Sequence, residues 1–530
     1  MLHRKKLIWL IFCFLAVFII YGRILAGDFV FDDRGIVEHQ FLLSDLNKFD
    51  KVLMLPYWTE AAGLYRPTVL ASYALNYILL GSEPWGFHLI NLLLYAASIF
   101  LIALVLKRLF KDKVLAYLTA TFFLVLPIHT EAVANIVGRA EILALFFSLL
   151  VFWELLKKDI VWWRAGFWLV LALGSKETAA AAVPIAILII YLKEKEFFSR
   201  RVLQKYGKTF LALVLGSTLY FGLRFLVLGK VYFLKAVTSI VENPLQFVSA
   251  KERIATALGV LTMYFEKSFW PFNLCSDYSY NQLPIIKSFL NPASLIGVFI
   301  IFFSFAIFIF LKRAPVLALA SAIFIFSYLP IANLVFPTGT IAGERLMFYP
   351  SLGLCLFLVW LILAIYRLMP KKILMYCCLM FFLAVFLFYG YLSFKRSGDW
   401  LTEKKLFMSA AKCAPNSVLS QSNLGASYYL DKDLVNAKKA LLRAEQIYDG
   451  YPKGINNLGL VYWKEGNREL ARKYFLRALD FEFPYYGAYE NLALMAIEDK
   501  NWAEAKIWLL EFYSGNEEAA DSYIRLYQQP

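Results

Sequence analysis

Long apolar runs separated by short charged clusters occupy the chain from Leu7 to Leu392. A helix of about 20 apolar residues is long enough to cross a bilayer, and shorter runs can do so through local thinning or mutual burial. Eleven runs fit this pattern: Leu7 to Leu25, Phe87 to Leu106, Val114 to Pro127, Ala140 to Leu156, Ile160 to Gly174, Thr178 to Leu192, Thr209 to Leu228, Ala293 to Leu311, Pro315 to Phe336, Tyr349 to Leu368 and Ile373 to Leu392. They predict a polytopic helix bundle of about eleven transmembrane helices over residues 1–394.

Beyond Lys395 the chain becomes charged and periodic. Asn423, Asn457 and Asn491 recur at intervals of 34 residues, as do a leucine one position later and an alanine 14 positions later. A 34-residue period is typical of tetratricopeptide repeats, which are stacked helix pairs. The sequence therefore predicts an all-α protein whose residues 395–530 form an α-solenoid, with repeats at about 420–453, 454–487 and 488–521.

Composition supports the membrane domain. The chain is 60% hydrophobic, and its mean hydropathy of +0.60 is far above that of soluble proteins. The net charge of +15 does not predict nucleic-acid binding, because Lys and Arg gather in short connections between apolar runs, as in cytoplasmic loops. The basic clusters are at residues 4–6, 107–113, 157–164, 193–208, 312–313 and 367–372. We expect the first apolar run to be a retained helix rather than a cleaved signal peptide.

This alternation places the intervening segments on the opposite, outer side. They are the loop 26–86, the turn at His129, the tip at residues 175–177, the loop from Gly229 to Pro292, the loop at Glu344 and the C-terminal repeats. The run from Ile254 to Pro271 contains Glu266 and Lys267, so we leave it outside the membrane. The run from Pro67 to Leu80 is predicted to be an amphipathic helix at the outer surface.

Candidate chemistry lies on the outer side. Asp32 and Asp33 are adjacent carboxylates, a pattern that suits a general base or a cation site. Taken alone it favours an ordinary solvated loop, because short acidic clusters are common in loops. Other polar residues interrupt apolar sequence, where they face either a cavity or a structural partner: Arg66, His88, Asn91, His129, Glu131, Arg139, Glu141, Lys176, Glu177, Arg224, Glu344 and Arg345. No spacing typical of a metal site is present.

Taken together, the ordered motifs resemble those of one family, the transmembrane and tetratricopeptide repeat-containing O-mannosyltransferases and their prokaryotic relatives. The matching stretches are residues 29–33 (FVFDD), 65–67 (YRP), 88–91 (HLIN), 127–133 (PIHTEAV), 138–141 (GRAE), 175–177 (SKE), 277–279 (DYS), 343–345 (GER) and 350–353 (PSLG), followed by the repeats. The resemblance covers nearly the whole chain.

The resemblance implies a C-type glycosyltransferase that moves mannose from a polyprenyl-phosphate carrier to a hydroxyl group on the outer side. It implies that Asp32, or else Asp33, removes the acceptor proton, while Arg139, Lys176 or Arg345 stabilises the departing phosphate. His129 and Glu131 are expected to orient the donor. No cofactor is required by this chemistry, and a divalent metal is not indicated.

Several alternatives remain at this point. A polytopic transporter and a non-catalytic anchor that presents a repeat scaffold are compatible with the same pattern. Within the enzyme class, another hexose can replace mannose. The expected partners are membrane lipid, the lipid-linked sugar and a protein Ser/Thr acceptor, which the repeat groove would dock. The expected location is a plasma or inner membrane with periplasmic repeats, or the endoplasmic reticulum in a eukaryote.

Overall fold

The fold is described from a computed structural model, which covers residues 2–38, 41–45, 48–58, 63–229, 239–309, 313–368, 372–482 and 484–528. It is 77% helical, and no strand occurs among these residues. The predicted all-α class is confirmed. The chain divides into two compact units, residues 1–276 with 285–406, and residues 277–284 with 407–530.

Fifteen α-helices lie within the described part of the first unit. They are α1 Leu2–Tyr21, α2 Phe49–Leu53, α3 Pro67–Leu80, α4 Pro84–Phe110, α5 Lys113–Val125, α6 Thr130–Ala134, α7 Arg139–Leu155, α8 Trp162–Leu173, α9 Ala182–Glu194, α10 Arg200–Leu228, α11 Ala250–Phe269, α12 Pro292–Ile309, α13 Pro315–Tyr328, α14 Pro350–Leu368 and α15 Lys372–Ser397.

All eleven predicted spans fall on helices, but their lengths differ. By length and composition five helical stretches can each cross a membrane: Lys5–Ala26, Pro84–Phe110, Ile136–Leu155, Arg200–Leu228 and Pro350–Leu368. The stretches Lys113–Val125 and Pro127–Ala134 reach the same standard only as a pair, bent by 57°. Four further apolar stretches are shorter, Pro67–Leu80, Trp162–Leu173, Pro292–Ile307 and Pro315–Ile331, and neither α11 nor the 26-residue α15 is among the five. Eleven crossings therefore stay a prediction. Residues 230–238 of the predicted outer loop, residues 310–312 near the end of a predicted span and residue 371 of a basic cluster lie outside the described chain.

Helix α3 begins and ends where the sequence analysis placed it. Pro67 occupies the first turn, where the missing amide hydrogen of proline costs nothing. One face buries Val69, Leu70 and Tyr73 against α4 and α7, whereas Leu79 on the other face is 72% exposed. Helix α3 covers the amino-terminal ends of α4 and α7. Its exposed face is also apolar, with Leu75 and Leu79 exposed and Asn76 buried, so the predicted amphipathic character is wrong.

The basic clusters of several helices meet at one end of the bundle. The Arg108 Nε donates to the Leu156 carbonyl (2.7 Å), and the Lys193 Nζ donates to the Leu155 carbonyl (2.8 Å). Arg367 pairs with Asp112 at 2.8 Å. This end lies at the carboxyl terminus of α7, whose 17 residues span about 25 Å. These clusters, which the sequence analysis placed on one side, therefore lie together at one end of the bundle, and which side of a membrane that end faces stays a prediction.

The second unit contains the repeats. After α16 Glu403–Cys413, which begins in the first unit, come α17 Val418–Leu430, α18 Leu434–Ile447, α19 Pro452–Lys464, α20 Arg468–Leu479, α21 Gly487–Glu498, α22 Trp502–Phe512 and α23 Glu517–Gln528. Helices α17 to α22 form three successive pairs, and α23 packs on the last pair.

Small residues mark the close approach of paired helices. A Cβ placed on Gly425 would lie 2.5 Å from Leu441, and one on Gly459 would lie 2.7 Å from the Phe475 ring. The third pair already carries Ala493 at the equivalent position, fully buried. The 34-residue periodicity therefore reflects a real packing constraint.

A short segment from the middle of the chain belongs to this unit. The Val418 amide donates to the Tyr280 carbonyl (2.8 Å), and the Asn281 amide donates to the Asn416 carbonyl (3.0 Å). Asp277 accepts a hydrogen bond from the Ser420 hydroxyl (2.6 Å). The sequence analysis drew a single boundary at residues 394 and 395 and did not assign residues 277–284 to the repeats.

We predict that Gly459→Ala destabilises the second helix pair. The added methyl group would press on the buried Phe475 ring, and overpacking of this kind costs about 1–3 kcal/mol. Hydrogen exchange of the full-length protein in detergent should become faster in α19 and α20. Gly207→Ala is the matched control, because open space surrounds that helical glycine. Unchanged exchange in Gly459→Ala would contradict the packing argument.

Candidate functional site

The two aspartates of the first outer loop occupy different environments. Asp33 is fully buried, and its carboxylate accepts hydrogen bonds from the backbone amides of Val137 (2.9 Å) and Val30 (3.3 Å). Asp32 is partly exposed. The backbone turns at Phe31, whose φ of 53° is left-handed and uncommon for a bulky residue. Asp33 therefore ties the loop to the start of α7, and Asp32 remains accessible.

Burial also changes the ionisation of Asp33. It raises the pKa of that carboxyl group to about 8, because loss of solvent outweighs the amide hydrogen bonds, which lower it. The charge on Asp32 raises it further. Near neutral pH Asp33 is therefore largely protonated, and Asp32 is the better placed of the two to accept a proton.

Arg139 lies at the centre of a buried hydrogen-bond network. Its Nε donates to Asn91 Oδ1 (2.7 Å), and one terminal nitrogen donates to Asn76 Oδ1 (3.0 Å) and the Phe87 carbonyl (2.8 Å). Its guanidinium group stacks on Tyr73 at 4.7 Å. Arg139 thereby joins α3, α4 and α7, and we assign it a positioning role instead of the expected phosphate contact.

The two predicted histidines are also enclosed. His129 contacts the Tyr95 hydroxyl through Nδ1 (3.1 Å) and the Ser351 hydroxyl through Nε2 (2.7 Å), so both ring nitrogens are engaged. His88 is fully buried beside Gly27, where an added Cβ would lie 3.4 Å from its Nε2. Both imidazoles are fully buried, and the expected orienting role of His129 stays a prediction.

Glu131 and Arg345 form a two-point contact. Glu131 Oε1 pairs with the Arg345 guanidinium at 2.6 Å, and its Oε2 accepts from the Arg345 amide at 2.9 Å. The bend between α5 and α6 brings Glu131 to this position. Gly138 permits the next turn, since a Cβ there would lie 2.2 Å from the Ala132 carbonyl oxygen. The Arg345 side chain remains 28% exposed.

Two further ion pairs involve the tip between α8 and α9. Lys176 contacts Glu141 of α7, and both side chains are almost fully buried. Glu177 pairs with Arg66 at 2.9 Å and lies 3.8 Å from Arg224. Arg66 and Glu177 are each slightly exposed, at 13% and 14%. The tip thus contacts the first outer loop, α7 and α10.

Glu344 is next to Arg345 in sequence but serves a different contact. Its Oε2 accepts from Arg396 of α15 at 3.2 Å, and its Oε1 accepts from the Cys275 amide. The Tyr264 hydroxyl of α11 accepts a hydrogen bond from the Gly343 amide at 2.9 Å. These contacts hold the loop in place, so that Arg345 points to Glu131.

Most of the predicted residues therefore lie in one region, whereas Asp33, His88, Asn91, His129, Arg139 and Glu344 do not belong to it. Lys176 interacts electrostatically with Arg66 and Arg345, and Arg345 does so with Asp32 and Glu141. This region, which we call the polar cluster, comprises Asp32, Arg66, Glu131, Glu141, Lys176, Glu177, Arg224 and Arg345. It lies at the amino-terminal end of α7, opposite the basic end of the bundle.

Sequence reasoning missed two members of this environment, Tyr57 and Glu242. Tyr57 packs under Arg66, with 4.8 Å from the guanidinium carbon to the ring centre. Glu242 interacts electrostatically with Asp32 and belongs to a loop that Asn243 anchors to Asn333 (3.1 Å). Only the tertiary structure places these two near the aspartates.

Among the described residues, no group of three or more His, Cys, Asp and Glu side chains is arranged to hold a metal ion. The cations of the polar cluster are Arg and Lys side chains. They match the geometry and charge of a phosphate group.

Comparison with known proteins finds similar membrane glycosyltransferases over most of the chain. Residues 67–221 match the family model described as dolichyl-phosphate-mannose-protein mannosyltransferase. The chain is 28% identical to mouse protein O-mannosyl-transferase TMTC3 (81% of this chain, 50% of that protein), and 27% identical to Caenorhabditis elegans protein O-mannosyl-transferase F38B6.6 (76% and 58%). It is 27% identical to human TMTC4, over 76% of this chain and 62% of that protein.

These matches define the class first: a polytopic helical membrane protein related to glycosyltransferases. More specifically, the chain is similar to proteins named protein O-mannosyl-transferase of the transmembrane and tetratricopeptide repeat-containing kind, and the resemblance drawn from the motifs is confirmed. The chain spans about half the length of the curated relatives it matches.

We predict that Asp33 makes stability fall as pH rises. A carboxyl group with a folded pKa near 8 stabilises the fold fully below its unfolded pKa of about 4, and this contribution is lost as pH approaches and passes 8. The thermal midpoint in detergent should fall between pH 5 and 8.5, and less so in Asp33→Asn. Asp50→Asn, which removes an exposed carboxylate of the same loop, should keep the wild-type slope. An Asp33→Asn protein with that slope would contradict the assignment.

Proposed function

We propose that the protein is a membrane glycosyltransferase that moves mannose, or another hexose, from a polyprenyl-phosphate carrier to a Ser or Thr hydroxyl group of a protein. The observation that carries this proposal is the partly exposed Asp32, which interacts electrostatically with Arg345. A carboxylate that can act as a base and a cation that can bind phosphate thus belong to one charged region. The names of the relatives support the same reaction class.

In the proposed reaction the acceptor oxygen attacks C1 of the sugar. Asp32 takes the proton of the acceptor hydroxyl group as the new glycosidic bond forms. The bond between C1 and the phosphate oxygen breaks, and its electron pair leaves with the polyprenyl phosphate. Arg345 and Lys176 stabilise the charge that develops on that phosphate.

The other residues hold these groups in position. Glu131 fixes Arg345 through two contacts, and Asp33 fixes the loop that carries Asp32. Because Arg345 and Lys176 supply positive charge at the leaving group, the proposal requires no divalent metal. The sugar-lipid enters as a substrate, and no cofactor takes part.

An apolar groove offers a place for the polyprenyl chain. It has a volume of about 650 Å³ and is formed by α11 to α14, with phenylalanines at 265, 299 and 324 among its lining residues. On α11, Tyr264 immediately precedes Phe265 and binds the Gly343 backbone, two residues from Arg345. A lipid tail in this groove would therefore have its phosphate end near the polar cluster.

We further propose that the polar cluster faces the outer side of a plasma or inner membrane, with the protein acceptor recognised by the repeats. The cluster lies opposite the basic end of the bundle, and basic loops face the cytoplasm in most membrane proteins. Helical repeats of this kind commonly bind extended peptides.

We predict that Asp32→Asn abolishes transfer but not donor binding. Loss of a general base should lower kcat by about 100- to 10,000-fold. Detergent-purified protein would be assayed in EDTA with radiolabelled polyprenyl-phosphate mannose and a protein extract, beside Asp50→Asn as the control. Full activity of Asp32→Asn would contradict the catalytic role and favour a non-catalytic scaffold or a transporter.

Sidedness has its own test. Exposed residues Glu83, beside the polar cluster end of α4, and Arg201, at the basic end of α10, would each be changed to cysteine. In bacterial spheroplasts, a membrane-impermeant maleimide should label Glu83→Cys directly and Arg201→Cys only after permeabilisation. The reverse pattern would invert the proposed topology.

A further inference from the structure

Glu141 differs from the other buried glutamates of the described chain. Four glutamates are about 1% exposed, namely Glu131, Glu141, Glu154 and Glu344. In three of them both carboxylate oxygens are bonded. Glu131 uses both on Arg345, and Glu344 uses its oxygens on Arg396 and a backbone amide.

The third saturated glutamate lies on the same helix as Glu141. Glu154, near the other end of α7, pairs with Lys157 at 2.5 Å through one oxygen and accepts from the Val161 amide at 3.0 Å through the other. In this structural Glu–Lys pair, both carboxylate oxygens therefore have a hydrogen-bond partner.

Glu141 lacks the second hydrogen bond that Glu154 makes. Its Oε1 accepts from Lys176, whereas its Oε2 is buried and has no hydrogen-bond partner. A buried acceptor without a partner costs about 1–3 kcal/mol, and more when it is charged. Native proteins seldom keep such an atom without a use for it.

A second polar atom without a partner lies in the neighbouring turn. The hydroxyl group of Thr178, two residues after Lys176, is 1% exposed and makes no hydrogen bond. This turn packs against α7. Two unpartnered groups therefore belong to the two elements that the Glu141–Lys176 pair joins.

The surrounding charges restrict what Glu141 can bind. Glu141 interacts electrostatically with Arg66 and Arg345, so it lies among the cations proposed to hold the donor phosphate. A phosphate has no hydrogen to donate to a carboxylate and would be repelled by it. A sugar hydroxyl group can donate, and the sugar is bonded directly to that phosphate.

We propose that Glu141 is the sugar-binding residue of the donor site. Lys176 holds one of its oxygens, and the other accepts a hydrogen bond from a hydroxyl group of the hexose. This inference rests on the proposed function and deepens it. It separates recognition of the sugar, by Glu141, from recognition of the phosphate, by Arg345 and Lys176.

The test compares two lipids that differ only in the sugar. Binding of polyprenyl-phosphate mannose and of sugar-free polyprenyl phosphate would be measured on full-length protein in nanodiscs. A hydrogen bond to a charged group corresponds to a 10- to 100-fold change in affinity, by order of magnitude. Glu141→Gln should lose about that much affinity for the mannose lipid and stay within about twofold for the sugar-free lipid.

Glu154→Gln is the matched control and should bind both lipids like the wild type. Equal losses for both lipids in Glu141→Gln would overturn the proposal, since they would indicate that Glu141 only positions Lys176. Unchanged binding of both lipids would overturn it as well. If the wild type binds neither lipid, the proposed function itself fails, and this inference fails with it.

A measurement on the wild type keeps the proposal testable should Glu141→Gln not fold. Donors lacking one sugar hydroxyl group at a time would be compared with the mannose donor. We expect one of them to bind about 10- to 100-fold more weakly, and to show no such loss in Glu141→Asp, whose shorter side chain withdraws the acceptor. If every deoxy donor binds the wild type as tightly as the mannose donor, the sugar contact does not exist.

Discussion

A carboxylate buried in an apolar bundle stays charged only if a cation or several amides compensate it. In the first unit this requirement determines which segments of the chain meet at the site. Glu131 of the bent helix requires Arg345 from a distant loop, and Glu141 of α7 requires Lys176. Removing one partner of such a pair leaves an uncompensated charge that costs about 3–5 kcal/mol. The ion pairs therefore bind loops from remote parts of the chain into one region.

The polar residues fall into two groups, according to how many of their hydrogen-bonding atoms already have a partner in the protein. Arg139 and His129 use their hydrogen-bonding atoms on protein groups, so they stabilise the bundle. Arg345 and Asp32 retain exposed surface, and Glu141 retains an unused oxygen. Chemical capacity remains only in the second group. A list of charged residues in apolar sequence cannot make this distinction, because both groups look alike in one dimension.

Helices and repeats could be predicted from the sequence because they are periodic. Contacts between residues that are far apart in the chain could not be predicted. The bounds of α3 and the 34-residue repeat follow from local spacing, since a helix repeats every 3.6 residues wherever it packs. The contrast between Asp32 and Asp33 depends on a left-handed turn at Phe31 and on the Val137 amide, which is about 100 residues away. The place of residues 277–284 in the second unit rests likewise on backbone pairing with residues 416–418, which leaves no signal in composition.

The bend between α5 and α6 explains why the polar cluster lies inside the bundle. Interrupting a helix leaves backbone groups without their usual partners, and an apolar environment tolerates this only where protein surrounds the break. Every residue from Phe123 to Leu145 is buried, so the break is enclosed on all sides. Because the helix is interrupted here, the turn directs Glu131 at Arg345 and leaves the Val137 amide available to Asp33. In a continuous helix these amides would bond to carbonyl groups of the same helix. Neither the Glu131–Arg345 contact nor the Val137–Asp33 contact would then form.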